Sequence, residues 1–128
     1  MNIKLLTLAL LLLFLSIPFH ASAAHKNLEK EYQQVWCDKQ GGKSEVVLVD
    51  DTRLDCLTEE YAVEFDFAPK WAESIGQALY YSLMTDKAPG VVLILEAPKT
   101  DKKYLERLNA VADEYGIRVW TMTKKDLR

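Results

Sequence analysis

The spacing of apolar residues predicts a helix over residues 27–39. In this segment, NLEKEYQQVWCDK, the apolar side chains fall at helical spacing, and Asn27 is a suitable N-cap. Gly41 and Gly42 follow directly and are expected to end the helix. Beyond these glycines the apolar residues change to a strand-like period.

Three short segments after the glycines are predicted to be strands. They are residues 44–51 (SEVVLVDD), 53–58 (RLDCLT) and 61–67 (YAVEFDF), which are rich in β-branched and aromatic residues. The acidic run from Asp50 to Thr52 predicts a tight turn between the first two strands. We expect the three strands to form an antiparallel meander.

The second half of the chain alternates helices with strands. Residues 70–85 predict an amphipathic helix, whose expected buried stripe consists of Trp71, Ile75, Ala78, Leu79 and Ser82. Residues 91–95, VVLIL, form an apolar run bounded by turn residues, which is typical of a central strand buried on both faces. Residues 101–115 predict another helix, with Tyr115 at the end of its apolar side, and residues 117–122 predict a last strand.

The order of elements is therefore α-β-β-β-α-β-α-β, which predicts an α/β sandwich with a mixed central sheet. A strand, a helix and a further buried strand in succession favour a right-handed parallel crossover. Residues 24–128 are expected to form one domain, because about 105 residues suffice for a single core and are too few for two.

The first 23 residues carry the pattern of a secretory signal peptide. Lys4 precedes a mostly apolar run, and small residues from Ala21 to Ala23 supply a cleavage signature. An uncleaved membrane anchor is the alternative, but a spanning helix requires about 20 apolar residues. Cleavage after Ala23 predicts a periplasmic or secreted protein without membrane attachment.

The charge balance of the chain is acidic. The sequence has 16 basic and 19 acidic residues, and removal of the leader with Lys4 leaves a formal charge of −4. This balance argues against nonspecific nucleic-acid binding, which requires clustered Lys and Arg side chains. A local basic patch remains compatible with the composition.

Cys37 and Cys56 are the two cysteines of the chain. An exported protein enters an oxidising compartment, so we expect them to form a disulfide. Such a bond closes a loop of about 18 residues and stabilises the fold by on the order of 3 kcal/mol. A metal site is the alternative, although the spacing of the two cysteines matches no zinc pattern.

Carboxylates recur on one face of the third predicted strand. Strand side chains alternate between faces, so Glu64 and Asp66 share a side, opposite Phe65. Asp55 lies on the neighbouring predicted strand and can approach both. Three oxygen donors of this kind suit Mg²⁺ or Mn²⁺ and would repel one another without a cation. The alternative is an ordinary solvated face of an antiparallel sheet.

The helix after this strand adds a polar stripe. Lys70, Glu73, Gln77 and Tyr81 succeed one another at steps of three or four residues, so they share one side of the helix. The stripe is expected to lie beside the strand carboxylates and to complete a site. In the alternative interpretation, Lys70 and Glu73 are a helical ion pair, while Gln77 and Tyr81 are a plain helix surface.

These residues resemble the motifs of the PD-(D/E)-x-K nuclease superfamily, and of its RecB-like branch in particular. Asp55 lies in the second strand, Glu64 and Asp66 in the third, and Gln77 with Tyr81 forms Q-x-x-x-Y on the next helix. The resemblance covers roughly residues 28–122 and implies a restriction-endonuclease-like sandwich. It also implies that Asp55 and Glu64 hold a divalent metal for catalysis, and that Gln77 and Tyr81 contact a nucleic acid. Runs such as DCLT and KWAESIGQ also resemble small exported bacterial proteins of unknown role.

The chain departs from this family at one position. The lysine of the motif, which orients or activates the attacking water in the family, is replaced by Asp66. Loss of that positive charge removes a group expected to stabilise the transition state. Some members of the superfamily recruit a lysine from the following helix, and Lys70 is the candidate for this catalytic role here.

Two functional hypotheses follow. In the first, an exported phosphodiesterase holds Mg²⁺ or Mn²⁺ with Asp55, Glu64 and Asp66 and acts on nucleic acid. In the second, a nuclease-like fold that lacks catalysis serves as a binding or interaction module in the periplasm. The sequence indicates no particular protein partner for either.

Overall fold

The computed structural model describes residue 25 and residues 27–128. In this part of the chain, three α-helices alternate with five strands, and single 3₁₀ turns occur at Ala68–Lys70 and Lys124–Leu127. The helices and strands are α1 (Glu29–Lys39), β1 (Lys43–Val47), β2 (Arg53–Leu57), β3 (Tyr61–Phe67), α2 (Trp71–Thr85), β4 (Ala88–Ile94), α3 (Pro98–Tyr115) and β5 (Arg118–Met122). The signal peptide predicted for residues 1–23 lies outside the described residues.

The five strands form one mixed sheet in the order β1-β2-β3-β4-β5. β1, β2 and β3 pair antiparallel, which confirms the predicted meander. β4 pairs parallel to β3, and β5 pairs parallel to β4, which confirms the parallel pairing of the predicted crossover. The fold is thus mixed α/β with the predicted order of elements, whereas the restriction-endonuclease-like sandwich stays a prediction.

Helices cover both faces of the sheet. α1 packs on one face, in a cluster with the odd-numbered residues Val63, Phe65 and Phe67 of β3. α2 and α3 cover the other face, in a cluster with Val91 and Leu93 of β4. β4 is an inner strand of this sheet, and because helices cover both faces, its apolar run is buried on both, as its sequence predicts.

The buried side of α2 differs from the predicted stripe. Ser74, Ala78 and Tyr81 are buried, whereas Leu79 is 37% exposed. The polar atoms at the two ends of this buried stripe are satisfied, because the Ser74 hydroxyl donates to the Trp71 carbonyl at 2.7 Å and the Tyr81 hydroxyl donates to the Arg53 carbonyl at 3.0 Å. Both polar residues can therefore be buried without an unsatisfied hydroxyl group, and the Tyr81 bond also ties this helix to β2.

The end of α3 also differs from expectation. Tyr115 is 63% exposed, although its spacing puts it in line with the buried Leu108 and Ala112. α3 ends at this residue, and Gly116 follows in the left-handed conformation with φ 66°. The chain turns towards β5 before the Tyr115 side chain can reach the sheet. In the described range, no helix combines the length and apolar character needed to cross a membrane.

The predicted disulfide between Cys37 and Cys56 is confirmed, and it joins α1 to β2. Both cysteines are fully buried. Gly42 lies against the bond, since a Cβ atom on this residue would lie 2.7 Å from the Cys56 sulfur and 2.8 Å from the Cys37 sulfur. The connection from α1 to β1 therefore passes the disulfide at a distance that admits only glycine.

Gly42→Ala is expected to lower the free energy of unfolding by about 1–3 kcal/mol, because the added methyl group must displace the disulfide or the backbone. Gly76→Ala is the matched control, since Gly76 lies within α2 with no atom within 4 Å of its Cβ position. In that helix interior alanine should stabilise by up to about 1 kcal/mol. Urea unfolding of the oxidised proteins measures both values, and equal stability of the two variants would contradict this packing.

Candidate functional site

The candidate site begins where β2 and β3 separate. The two strands pair through Cys56 with Val63 and Leu57 with Ala62. At the next residues of the two strands, hydrogen bonds to side chains replace the backbone-to-backbone bonds. The Phe65 N–H donates to Asp55 Oδ2 at 2.9 Å, and the Asp55 N–H donates to Glu64 Oε1 at 3.3 Å. Two carboxylates thereby take the places of backbone carbonyl acceptors, which satisfies donors that the splayed strands expose.

A kink in β2 aims Asp55 at this gap. Leu54 and Cys56 lie two positions apart, yet they pack in clusters on opposite faces of the sheet. The alternation of side chains is therefore broken at Asp55. Glu45, which lies between the β1 partners of Leu54 and Cys56, has a φ of 56°. This left-handed conformation is rare for a residue with a side chain, and it accommodates the irregular strand pair.

The gap forms a small polar cavity of about 120 Å³. Its polar lining side chains are Glu29, Arg53, Asp55, Glu64, Asp66, Lys70, Glu73 and Gln77. We call this cavity the carboxylate pocket. The structure thus brings together Asp55, Glu64, Asp66, Lys70 and Gln77, all of which the sequence indicates as candidate site residues.

Tyr81 does not line the carboxylate pocket. Its side chain is 6% exposed and packs with Leu54 and Ala62. Its hydroxyl donates to the Arg53 carbonyl at 3.0 Å. Tyr81 therefore braces β2 from α2, one turn of helix beyond Gln77, and its predicted contact with a substrate stays a prediction.

One side of α1 contributes residues to the site that are not among the nuclease-like motif residues. Glu29, Gln33 and Cys37 are spaced four residues apart, so they lie on the same side of the helix. Glu29 lines the pocket, Gln33 donates its amide to the Asp55 carbonyl, and Cys37 is bonded to Cys56. The approach of α1 to the pocket could have been predicted from the expected disulfide, because a bond between Cys37 and Cys56 places this side of α1 next to Asp55.

The electrostatics of the pocket are dominated by buried negative charge. Its lining has five carboxylates against the two basic groups of Arg53 and Lys70. Glu64 is 2% exposed and Asp66 4% exposed, so the interpretation of these residues as a solvated sheet face is wrong. Burial of an ionised carboxylate is costly unless it is paired.

Burial therefore raises the pKa of four of these carboxyl groups, those of Glu29, Asp55, Glu64 and Asp66. Desolvation is the main cause of the raised pKa of both Asp55 and Glu64, and the charge of Asp55 raises the pKa of Glu64 further. Burial, followed by repulsion from Asp55 and Asp66, raises the pKa of Glu29 to about 7. Burial also raises the pKa of Asp66 to about 7, although the positive charge of Lys70 opposes this shift.

Asp66 stands out among these groups by its missing hydrogen bond. Its Oδ1 atom is buried and has no partner within the described part of the chain. Such a buried acceptor calls for a cation, a proton or a water molecule. The carboxylate oxygens of Asp55, Glu64 and Asp66 are the kind of ligand that suits a hard divalent cation such as Mg²⁺ or Mn²⁺, although Lys70 also lies beside Asp66.

The positions of the carboxylates do not by themselves form a metal-coordination set. Across residues 25 and 27–128, no group of three or more His, Cys, Asp and Glu side chains has a geometry that could hold a metal ion. Asp55 and Glu64 instead bind backbone N–H groups. The metal site of Asp55, Glu64 and Asp66 therefore stays a prediction, with its residues in one cavity.

Comparison of the chain with known protein families, curated proteins and solved structures assigns it to no family. No family model matches the chain, and neither curated proteins nor solved structures give a match. The resemblance to the PD-(D/E)-x-K superfamily accordingly rests on the motif residues and the order of elements.

The pocket predicts an unusual dependence of stability on pH in the absence of divalent cations. Because the folded-state pKa of Asp66 and of Glu29 is about 7, above the ordinary values of 3.8 and 4.5, the folded chain holds more protons than the unfolded chain between these limits. The free energy of unfolding should therefore fall as pH rises, by at least about 1 kcal/mol between about pH 5 and pH 8. Urea unfolding in chelator at several pH values measures this slope.

Asp66→Asn and Glu64→Gln are the variants that test the origin of the slope. Each replaces a buried group of raised pKa with a neutral amide of the same shape, so each should flatten the pH dependence and raise stability at pH 8. Glu114→Gln, on the exposed end of α3, is the control and should retain the full slope. A wild-type protein that gains stability from pH 5 to pH 8 would show that the cluster is not buried as described.

Proposed function

We propose that the protein is a divalent-metal-dependent phosphodiesterase of restriction-endonuclease-like fold that acts on nucleic acid after export. The observation that carries the proposal is the carboxylate pocket, in which Asp55, Glu64 and Asp66 share one cavity with Lys70 and Gln77. These five residues come from β2, β3, the following 3₁₀ turn and α2. Their meeting in one cavity is what the motif resemblance requires.

The topology supports the same proposal. The resemblance rests on an order of elements that begins with a helix, three strands, a helix and a further strand, and the hydrophobic pattern predicts that the three strands are antiparallel and that the fourth is parallel to the third. The sheet has this arrangement, with β3 at the junction between its antiparallel and parallel parts. The predicted metal ligands lie on β3 and on its antiparallel neighbour β2.

Asp55, Glu64 and Asp66 are the side chains that would hold the cation. When bound, a divalent cation supplies Lewis-acid polarisation of the phosphodiester and offsets the charge that develops on it. The protein residues then define where the phosphodiester lies. Because the cavity of about 120 Å³ is too small for a nucleotide, the sugar and base of the substrate must stay outside it.

Lys70 and Gln77 supply the chemistry on the α2 side of the pocket. Lys70 places a positive charge beside Asp66, where the superfamily motif has its lysine. We assign this ammonium group to stabilisation of the negative charge that develops on the phosphate oxygens. The Gln77 amide is a neutral hydrogen-bond donor and can orient the phosphate without adding charge.

A second candidate function is a cation-binding or interaction module without catalysis. The observation in its favour is the acidic lining, in which five carboxylates outnumber two basic groups. Such a surface repels a nucleic-acid backbone unless a cation offsets the charge. Asp66 at the lysine position of the motif favours the same interpretation, because it adds a negative charge where catalysis requires a positive one.

Calorimetric titration with Mn²⁺ tests the metal site directly. The wild-type protein at pH 7.5 should bind Mn²⁺ saturably and release protons, because the carboxyl groups of the pocket must ionise to bind it. Asp55→Ala and Glu64→Ala should each lower the affinity at least about tenfold. Glu114→Gln should bind as the wild type does. Absence of heat from the wild type would rule out the metal site and the enzyme.

Cleavage assays with single-stranded DNA, duplex DNA and RNA test the activity. The wild type should cleave at least one of them with Mg²⁺ or Mn²⁺, and chelator or Glu64→Ala should abolish the cleavage. Lys70→Ala should lower the rate about 100-fold while Mn²⁺ affinity is retained, since its charge acts on the phosphate. Lys70→Arg is the matched variant and should keep part of the activity.

The two candidate functions separate by combining these assays. Metal binding together with chelator-sensitive cleavage supports the phosphodiesterase. Metal binding without cleavage of any of the three nucleic acids supports the module that lacks catalysis. A Lys70→Ala protein that cleaves at the wild-type rate would remove Lys70 from the mechanism.

A further inference from the structure

A second cavity lies on the face of the sheet that α1 covers, near the start of β3. Its volume is about 520 Å³, and it is lined by the aromatic rings of Trp36, Tyr61 and Trp120, with Gln40, Glu59 and Glu60 at its edge. We call it the tryptophan pocket. It shares no lining residue with the carboxylate pocket, which lies beyond Glu64 on the same strand.

The three rings form an angled array around Trp120. The Trp120 ring centroid lies 5.0 Å from that of Trp36 at an interplanar angle of 62°. It lies 5.1 Å from that of Tyr61 at an angle of 89°. At these angles each pair packs edge to face, which fixes the rings relative to one another. All three residues also line the cavity, so the ring surface that is left facing it can contact a cation.

The array is held in position by its surroundings. Trp120 lies across Gly90, where a Cβ atom would lie 2.8 Å from the ring, so glycine leaves the space that the indole fills. The Tyr61 N–H donates to the Thr58 hydroxyl at 2.8 Å, and Lys87 donates to the Glu59 carbonyl at 2.6 Å. The rings and the turn that carries both glutamates are thus fixed before any ligand arrives, which lowers the entropic cost of binding.

The charges of this pocket favour a cation. Glu59 and Glu60 are its charged lining residues, and both are exposed. The guanidinium carbon of Arg118 lies 5.7 Å from the Trp120 ring centroid, so the protein already places one of its own cations near this ring. The π-face of an aromatic ring carries negative potential, and the two carboxylates add to it.

We propose that the tryptophan pocket binds a methylated organic ammonium group, as in choline, on the rings of Trp36, Tyr61 and Trp120. A methylated ammonium is weakly hydrated and loses little by leaving water for aromatic faces. A metal ion requires several converging oxygen ligands, and the two glutamates of this pocket belong to no group of three or more acidic, His or Cys side chains that could hold one in the described part of the chain. A nucleotide carries phosphate, which the two glutamates repel.

Tryptophan fluorescence gives a direct test with choline as the probe. Trp71 packs on the opposite face of the sheet, so Trp71→Phe leaves the two indoles of the pocket as the reporters. Titration of this variant with choline should give a saturable change with Kd on the order of 1 mM. The neutral carbon analogue of choline, 3,3-dimethylbutanol, should bind at least about tenfold more weakly because it has the same shape without the charge.

Variants assign the binding to the pocket. Glu59→Gln combined with Glu60→Gln alters only exposed side chains, so it should fold normally and weaken choline about threefold to tenfold. Trp120→Leu should abolish the signal, and circular dichroism checks its fold. Arg118→Gln removes the internal cation near the ring and should strengthen choline binding. Glu114→Gln, remote from the pocket, should change nothing.

The source of the ammonium group is distinguished by a second measurement. Sedimentation with phosphatidylcholine vesicles, and with vesicles of phosphatidylglycerol as control, separates a lipid headgroup from free choline. Selective sedimentation with phosphatidylcholine assigns a lipid source, and binding of free choline alone assigns a soluble ligand. Equal affinity for choline and its neutral analogue, or no saturable signal up to about 50 mM choline, would overturn the proposal.

Discussion

The separation of β2 from β3 at Asp55 and Glu64 is the constraint on which the candidate site depends. A strand pair that opens inside a domain exposes backbone N–H groups, and these need acceptors. Here the acceptors are the two carboxylates, at 2.9 Å from the Phe65 N–H and 3.3 Å from the Asp55 N–H. The same side chains thereby satisfy the backbone and form the wall of the carboxylate pocket.

This arrangement explains why the acidic groups stay buried. Removing them would leave the backbone donors of β2 and β3 without partners, whereas keeping them concentrates negative charge in a small cavity. The protein balances the two costs with raised pKa values, with Lys70 near Asp66 and with Arg53 at the rim. A divalent cation would relieve the remaining repulsion, since its charge offsets two carboxylates at once.

The sequence predicts the elements and most of the site, but it does not predict how the strands separate. Strand alternation puts Glu64 and Asp66 on one face, and the structure has them there, buried. The alternation rule is wrong for β2, because the kink opposite Glu45 turns the Asp55 side chain into the gap between the strands. The hydrophobic pattern does not reveal that Glu45 has a φ of 56°. Tyr81 differs from expectation for a related reason, since its hydroxyl binds the carbonyl of Arg53.

α1 connects the two pockets physically. Its side chains at Glu29 and Gln33 reach the carboxylate pocket and the Asp55 carbonyl, while Trp36 lines the tryptophan pocket. The disulfide at Cys37 fixes the helix next to Trp36 and one turn beyond Gln33. Because one covalent bond positions walls of both cavities, a displacement of α1 must alter both together. The resemblance to the nuclease motifs assigns no role to α1, yet α1 is the element that fixes the positions of the two pockets relative to each other.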